Sequence, residues 1–502
     1  MSEPLVEEAG RFDGVRLSED STSKHEEIFE RPSGWKGLYS HPTVQVALLG
    51  VICFMCPGMF NALTGLGGGG QVNSKDQANA SSAVYATFAF FGFFSGYDFA
   101  PFSLVRFFRT NDPSTINNVL GPRLTLTLGT LGYPLYISSF LVVNIHPNAG
   151  AYVIATGAVL GICAALLWTA QGSLMMAYPT ESQKGLYIGI FWAIFNLGGV
   201  VGSAVAFGQN FHSKTNSVGN GTYIGFLVLT ITGFFLPIFM TSPHKVIRTD
   251  GTKIVQIRHP SWKEEFMNLF RALITDPWII LLFPMFFASN YFYTWQFNDY
   301  NGALFTIRTR GLNNFVYWTS QIFGSVFIGY FILDQKNLQR RARAFLGWII
   351  VFLMVFVVHI WAYFYQKDYT RQSETAQNAY KIDIYDSAFP AHVVLMIFYG
   401  FLDSMWQTYA YWLMGAMSND MAKLAVFTGF YKCLQSSGAA GVWRADGAGL
   451  PYMNIFLSTW ALTAAGMVFA LPMVYYRVKD FTDDEGLTDT EKGGLNPGPE
   501  GH

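Results

Sequence analysis

Lys432 stands near the middle of an apolar stretch, with Gln435 and Ser436 three and four residues on. Asp403 stands in the preceding stretch, with Gln407 one turn later. Residues three and four apart share a helical face, so each charge has polar company on its own side of a helix. An ionisable group at the centre of a membrane helix costs roughly 2.5–3.5 kcal/mol on insertion scales, and a partner of opposite sign would offset both penalties. An Asp403–Lys432 pair lining a cavity could bind a proton or an ionic solute. It could equally be an interhelical salt bridge in a protein without turnover, and the residues alone leave both readings open. Asn61, Gln171 and Asn196 in the first half, and Asn290 and Gln296 in the second, add uncharged polar positions. Such residues more often satisfy a neighbouring helix than a ligand.

These residues belong to twelve apolar stretches, near 43–63, 82–102, 122–143, 150–175, 184–207, 222–241, 277–299, 313–333, 343–366, 387–411, 421–442 and 452–475. Each is about the length that crosses a hydrocarbon core. With 502 residues, 51% hydrophobic and 13% charged, the chain reads as an all-α polytopic membrane protein rather than a string of soluble domains. Fifteen Lys and Arg crowd into the connections that share a side with both termini, against eight in the others. The positive-inside rule then predicts cytosolic termini and a membrane of the cell surface or secretory pathway. Two N-glycosylation acceptors, at Asn79 and Asn220, fall in connections placed on the opposite side.

No phosphate-binding loop, zinc spacing or basic face interleaved with aromatics is present, so nucleotide hydrolysis and nucleic-acid binding have no support. No enzyme activity and no cofactor are expected. All four cysteines lie within apolar stretches, which disfavours disulfides, and Cys53 and Cys56 read as packing residues. Residues 1–40 are polar, with no signal-peptide pattern, and are expected to form a disordered cytosolic tail, as is 477–502.

The connection over 242–276 carries Lys245, Arg248, Lys253, Arg258, Lys263 and Arg271 and divides the chain six plus six. Residues 41–241 and 277–476 thus read as two six-helix bundles, the arrangement of the major facilitator superfamily. Internal echoes agree. Gly189 and Gly198 match Gly429 and Gly438, and Pro57 with Asn61 matches Pro284 with Asn290. Pro57 and the run Gly67 to Gly70 would loosen one end of the first stretch, as a gate or a plain re-entrant turn. Gly329 to Asp334, followed by Arg340 and Arg341, resembles a worn form of the superfamily's Gly-to-Asp-to-Arg loop.

Three segments narrow the resemblance: Cys56-Pro57-Gly58-Met59-Phe60-Asn61 through Gly70, Leu120-Gly121-Pro122-Arg123 through Tyr136, and Gly429-Phe430-Tyr431-Lys432 through Asp446. Together they resemble the Unc-ninety-three-like, or ion channel regulatory, family of the major facilitator superfamily, over about residues 38–476. The resemblance implies a twelve-helix facilitator fold. It implies less about activity, since members are described as channel-regulating subunits or escorts of membrane proteins. The expected partners are therefore the lipid bilayer and either a small solute or another membrane protein. Tyr97 to Ser114 interrupts the family-like sequence, as an insertion or a translated intron.

Overall fold

The computed structural model describes residues 29–479, apart from 72–73, 96–115, 181–182, 214–215, 255–266, 268–269, 272, 275–276, 336, 377–378 and 418–420. The interrupting segment Tyr97 to Ser114, the first 28 residues and those beyond 479 lie outside the described residues.

Among the described residues twelve helical spans follow one another. Span one covers Pro42–Gly65, and the next five are Lys75–Ser95, Ile116–Ile145, Gly150–Ala177, Lys184–Asn210 and Asn220–Phe239. Span seven is assembled from a 3-10 turn at Pro277–Leu282, an α-helix at Phe283–Ala288 and a π-helical stretch at Thr294–Gly302. Span eight is Ile307–Ile328, and the last four are Arg340–Gln366, Phe389–Met417, Met421–Gly447 and Tyr452–Tyr476. Among the described residues nine of these are long and apolar enough to cross a membrane unaided. The three that fall short are two, seven and eleven. Spans two and eleven pack on each other, so their polar groups find protein rather than lipid, which is where membrane proteins tolerate them.

Two hydrophobic cores divide the chain. One is built from residues between Val46 and Ile254, joined by Ile307, and the other from residues between Ile279 and Val478. Each core belongs to one six-helix bundle. The bundles meet through spans two and eleven and through spans five and eight. The face that carries the connections 66–74, 146–149, 211–219, 303–306, 367–388 and 448–451 is called distal below, and the face that carries the termini is called terminal.

The internal repeat is half visible in the packing. A Cβ at Gly198 would meet the Phe54 carbonyl and the Gly58 backbone of span one, and a Cβ at Gly438 would overlap the Phe287 carbonyl of span seven. Span five thus closes on span one as span eleven closes on span seven. Gly189 and Gly429, the other half of the expected match, have open space in front of them. Pro57 and Pro284 each stand at the start of a helical segment, where a missing N–H costs nothing.

Residues 29–40 correct the expected disordered tail. Trp35–Tyr39 form a helical turn, Arg31 donates to the Arg248 carbonyl at 3.2 Å, and Lys253 stacks over Phe29 at 3.6 Å. The basic linker gives this segment carbonyl and cation partners that composition alone does not reveal. The four cysteines are free, and Cys53 and Cys56 are fully buried.

Candidate functional site

Span seven positions most of the chemistry. Its stretch Thr294–Gly302 reads TWQFNDYNG and buries every residue from Thr294 to Asn301. So polar a run has no place on a lipid face. The π geometry spreads its side chains over more directions than a regular turn allows, and such irregular turns recur at functional sites.

One polar cluster gathers around Asp403 of span ten, which is buried. Its Oδ2 accepts from Tyr293 Oη at 2.9 Å, Tyr317 Oη at 3.0 Å and Gln321 Nε2 at 2.6 Å. Tyr317 Oη also lies 2.8 Å from Gln296 Oε1. The other carboxylate oxygen, Oδ1, has no hydrogen bond. Three donors on one oxygen explain how a carboxylate is held inside a bundle with no cation against it.

A second cluster lies one turn along span ten. Gln407 donates to the Ser289 carbonyl at 2.6 Å and reaches Asn290 Oδ1 at 3.4 Å, and it accepts from Tyr431 and, at 3.2 Å, from Gln435. Lys432 donates to Gln435 Oε1 at 3.0 Å, and its ammonium lies 5.7 Å from the Tyr411 ring centre and 5.4 Å from that of Tyr431. The expected Asp403–Lys432 ion pair is therefore corrected. Asp403 is satisfied by phenols and an amide, and Lys432 by an amide oxygen and two ring faces. Gln407 and Gln435 bond to each other and belong to the Lys432 neighbourhood.

The N-terminal bundle contributes less. Asn61 and Asn196 are half-buried within spans one and five, and no side-chain hydrogen bond joins either to a described residue. Tyr85 of span two and Tyr293 both pack on the group formed by Ala78, Ala439 and Trp443 between spans two and eleven. A Cβ on Gly199 of span five would press on the Trp318 ring of span eight. The Asp403 cluster therefore stands directly behind the interface between the bundles.

At the distal end the interface is closed by hydrogen bonds that the sequence reading did not foresee. Span one ends at Gly65, and its last carbonyls need donor partners from elsewhere. Asn314 donates to Ala62 O at 2.7 Å, Asn301 to Gly65 O at 2.8 Å, and Arg310 Nε to Leu66 O at 2.6 Å. Arg310 Nη2 donates to Gly67 O, and its Nη1 to Asn216 O at 3.2 Å. Gly67 to Gly70 all hold positive φ, between 56° and 79°, which turns these carbonyls toward the other bundle and is open to glycine at no steric cost. Gly68 N–H donates to Asn298 Oδ1 at 2.7 Å, while Asn298 Nδ2 donates to Gln77 at 3.0 Å and to Asp446 at 2.8 Å. Ser82 donates to Ala440 O at 2.9 Å, and Arg444 to Asn79. Among the described residues the hydrogen bonds that join the two bundles lie in this half of the molecule.

Arg310, counted in the sequence as a loop cation, is 1% exposed. Arg310, Asn313 and Asn314 follow the spacing of one helical face, which is the signal that could have found them. Asn79 lies within span two against Gly447, whereas Asn220 is exposed at the start of span six.

A family model described as "Ion channel regulatory protein UNC-93" matches residues 93–470. The chain belongs to the UNC-93 family. An UNC93-like protein from Schizosaccharomyces pombe is 43% identical over 96% of this chain and 91% of its own length. UNC93-like protein 1 of Arabidopsis thaliana is 39% identical over 90% of this chain and 94% of its own. Among solved structures, a D-xylose-proton symporter aligns with a TM-score of 0.56 at 12% identity, over 87% of this chain and 98% of that one. A bacterial homologue of the lysosomal transporter Spinster, inward-facing and unoccupied, aligns at 0.52 and 12%, over 90% and 100%. At such identities the likeness concerns the fold. This UNC-93 family member is a multi-pass membrane protein with the major facilitator transporter fold.

Proposed function

We propose that the chain carries a small polar solute by alternating access, with the Asp403–Gln407–Gln435 array as its solute-facing lining and the distal hydrogen bonds as one of its two gates. The observation that carries this reading is the capping of span one by Asn301, Arg310 and Asn314 of the other bundle. Those carbonyls sit at a helix end, where water can replace the side chains when the bundles part, so the closure is reversible without leaving buried groups unpaired. Half-buried amides at Asn61 and Asn196 across the interface support a lining that has polar capacity to spare. The charge bias supports cytosolic termini, hence a structure closed to the outside, in keeping with a plasma or secretory-pathway membrane.

Asn79 and Gly447 face each other across the gate, which supplies the test. In liposomes, saturable uptake by an Asn79→Cys/Gly447→Cys variant should stop on oxidation and return with reductant. Uptake that continues with the disulfide formed would overturn alternating access. The family description supports a second reading, a non-transporting subunit of another membrane protein. Stable co-purification of such a partner in mild detergent, with no saturable uptake, would favour it.

A further inference from the structure

Beside the gate lies a group of charges that the carrier reading does not use. Asp299 of span seven is fully buried, and neither carboxylate oxygen has a hydrogen bond. Its Oδ1 lies 3.5 Å from Arg371 Nη2. The same nitrogen donates to Asp446 Oδ1 at 2.6 Å. Both oxygens address one atom, so they lie within about 6 Å of each other, the range in which like charges resist joint ionisation.

Among the described residues the surrounding contacts add no second counter-charge. Arg371 Nε is held by the Leu450 carbonyl at 2.9 Å, and its guanidinium lies over the Tyr452 ring at 4.2 Å. The Tyr369 hydroxyl donates to the Asp299 carbonyl at 3.0 Å rather than to its carboxylate. Arg444 is bonded to Asn79, and Lys381 is paired with Glu374 at 2.8 Å. Burial pulls the Arg371 charge down, but the Asp446 and Asp299 carboxylates more than offset it and hold the guanidinium firmly protonated. Two buried acids therefore share one positive charge, and a buried uncompensated charge is costly.

The acids are wired to the closure. Asp446 Oδ2 accepts from Asn298 at 2.8 Å, and Asn298 Oδ1 accepts from Gly68 N–H at 2.7 Å in the opposite bundle. Asp299 is the next residue in the chain.

We propose that Asp299 holds a proton while the distal gate is closed, and releases it to water when the gate opens, so that the coupling ion of the carrier is H+. Closed, Asp299 bears the proton, and Arg371 is left to its 2.6 Å contact with Asp446. On opening, the carboxylic O–H bond breaks, the proton passes to a distal water, and two hydrated carboxylates face the guanidinium. The closed form binds one proton more than the open form, so rising pH favours opening. The open-to-closed ratio should climb by up to about tenfold per pH unit. The word coupling rests on the carrier reading; the proton-held gate does not.

The test uses the full chain in nanodiscs, without solute. Spin labels go on Asn148→Cys and Ser387→Cys, both exposed on the distal face of opposite bundles, in a Cys433→Ser background. Pulsed dipolar distances should show one short population at low pH and a growing longer one as pH rises. Asp299→Asn, which keeps shape and removes the titration, should stay short at every pH. Should that variant fail to fold, Asp446→Asn must show the same loss of response. A wild-type distance that ignores pH, or a folded Asp299→Asn that responds as the wild type does, would overturn the proposal. A pH-dependent gate in a protein without saturable uptake would instead overturn the carrier reading and leave the proton-held gate standing.

Discussion

Arg310 Nε of span eight donates to the Leu66 carbonyl of span one at 2.6 Å, so a helix end of one bundle is capped by a cation of the other. The helix dipole places partial negative charge at that end, and the buried guanidinium meets it without a carboxylate partner. Hydrogen bonds to a charged group contribute about 1.5–3 kcal/mol each. Arg310→Gln should therefore favour the distally open form by at least tenfold, read as growth of the long population between labels at residues 148 and 387. Unchanged distances would mean that the capping bonds do not hold the gate.

Gly67 and Gly449 separate backbone strain from contact. Both hold a positive φ, 71° and 83°, so alanine costs each roughly 1–2 kcal/mol from the left-handed conformation. At Gly449 nothing lies within 4 Å of the added Cβ, whereas at Gly67 it would overlap the Phe297 carbonyl and the Gly302 backbone across the interface. Gly449→Ala should lower thermal stability slightly and leave the label distances alone. Gly67→Ala should open the distal face as well. Equal behaviour of the two would show that contact across the bundles is not what the glycine serves.

Asp403 and Lys432 should behave independently. A double-mutant cycle with Asp403→Asn and Lys432→Met is expected to give a coupling within about 0.5 kcal/mol in unfolding free energy, the usual scatter for residues without a shared contact. Asp403→Asn with Tyr317→Phe should couple by more, because Tyr317 donates to that carboxylate at 3.0 Å. A strong Asp403–Lys432 coupling would restore the ion pair that the structure replaces with two separate hydrogen-bond networks.

Much of this was written in local pattern. Apolar length and the basic connection at 242–276 carry the two bundles, because span length and loop charge are local properties of the chain. Asp403, Gln407, Lys432 and Gln435 were legible because a polar residue inside an apolar run is conspicuous. Their pairing was not, since whether Asp403 meets Lys432 or Tyr293 depends on how spans seven, eight, ten and eleven rotate. Asn298, Asp299 and Arg310 escaped for the opposite reason. They lie where a span shades into a connection, and there polarity reads as loop until the other bundle is seen to cover it.

Glycan occupancy should follow accessibility. Asn220 is exposed at the start of span six, with its Oδ1 accepting from Asn144 at 2.7 Å. Asn79 sits in the second turn of span two and accepts from Arg444 across the gate. On the proposed orientation, with the distal face outside the cytosol, glycosidase should sharpen the mobility of the wild type, Asn220→Gln should abolish that shift, and Asn79→Gln should leave it. A shift that persists in Asn220→Gln and vanishes in Asn79→Gln would show that the interface forms only after modification. No shift in any variant would count against the orientation.

Asp383, in the distal connection before span ten, gives a pH dependence with a definite sign. Burial raises its carboxyl, but hydrogen bonds from Arg308 Nε at 2.6 Å and Thr306 Oγ1 at 2.8 Å outweigh that and hold it below the ordinary carboxylate value. A depressed folded value means that the stabilisation is complete above the unfolded value of about 3.9 and is lost as pH falls through the lower, folded one. Asp383→Asn should thus lower stability by about 1 kcal/mol at neutral pH, a magnitude usual for a partly exposed pair. The gap between variant and wild type should close in strong acid. Thermal unfolding of both proteins in detergent along a pH series reads this directly, and a gap that stays constant to the acid end would show that Arg308 and Thr306 do not act on the ionised form.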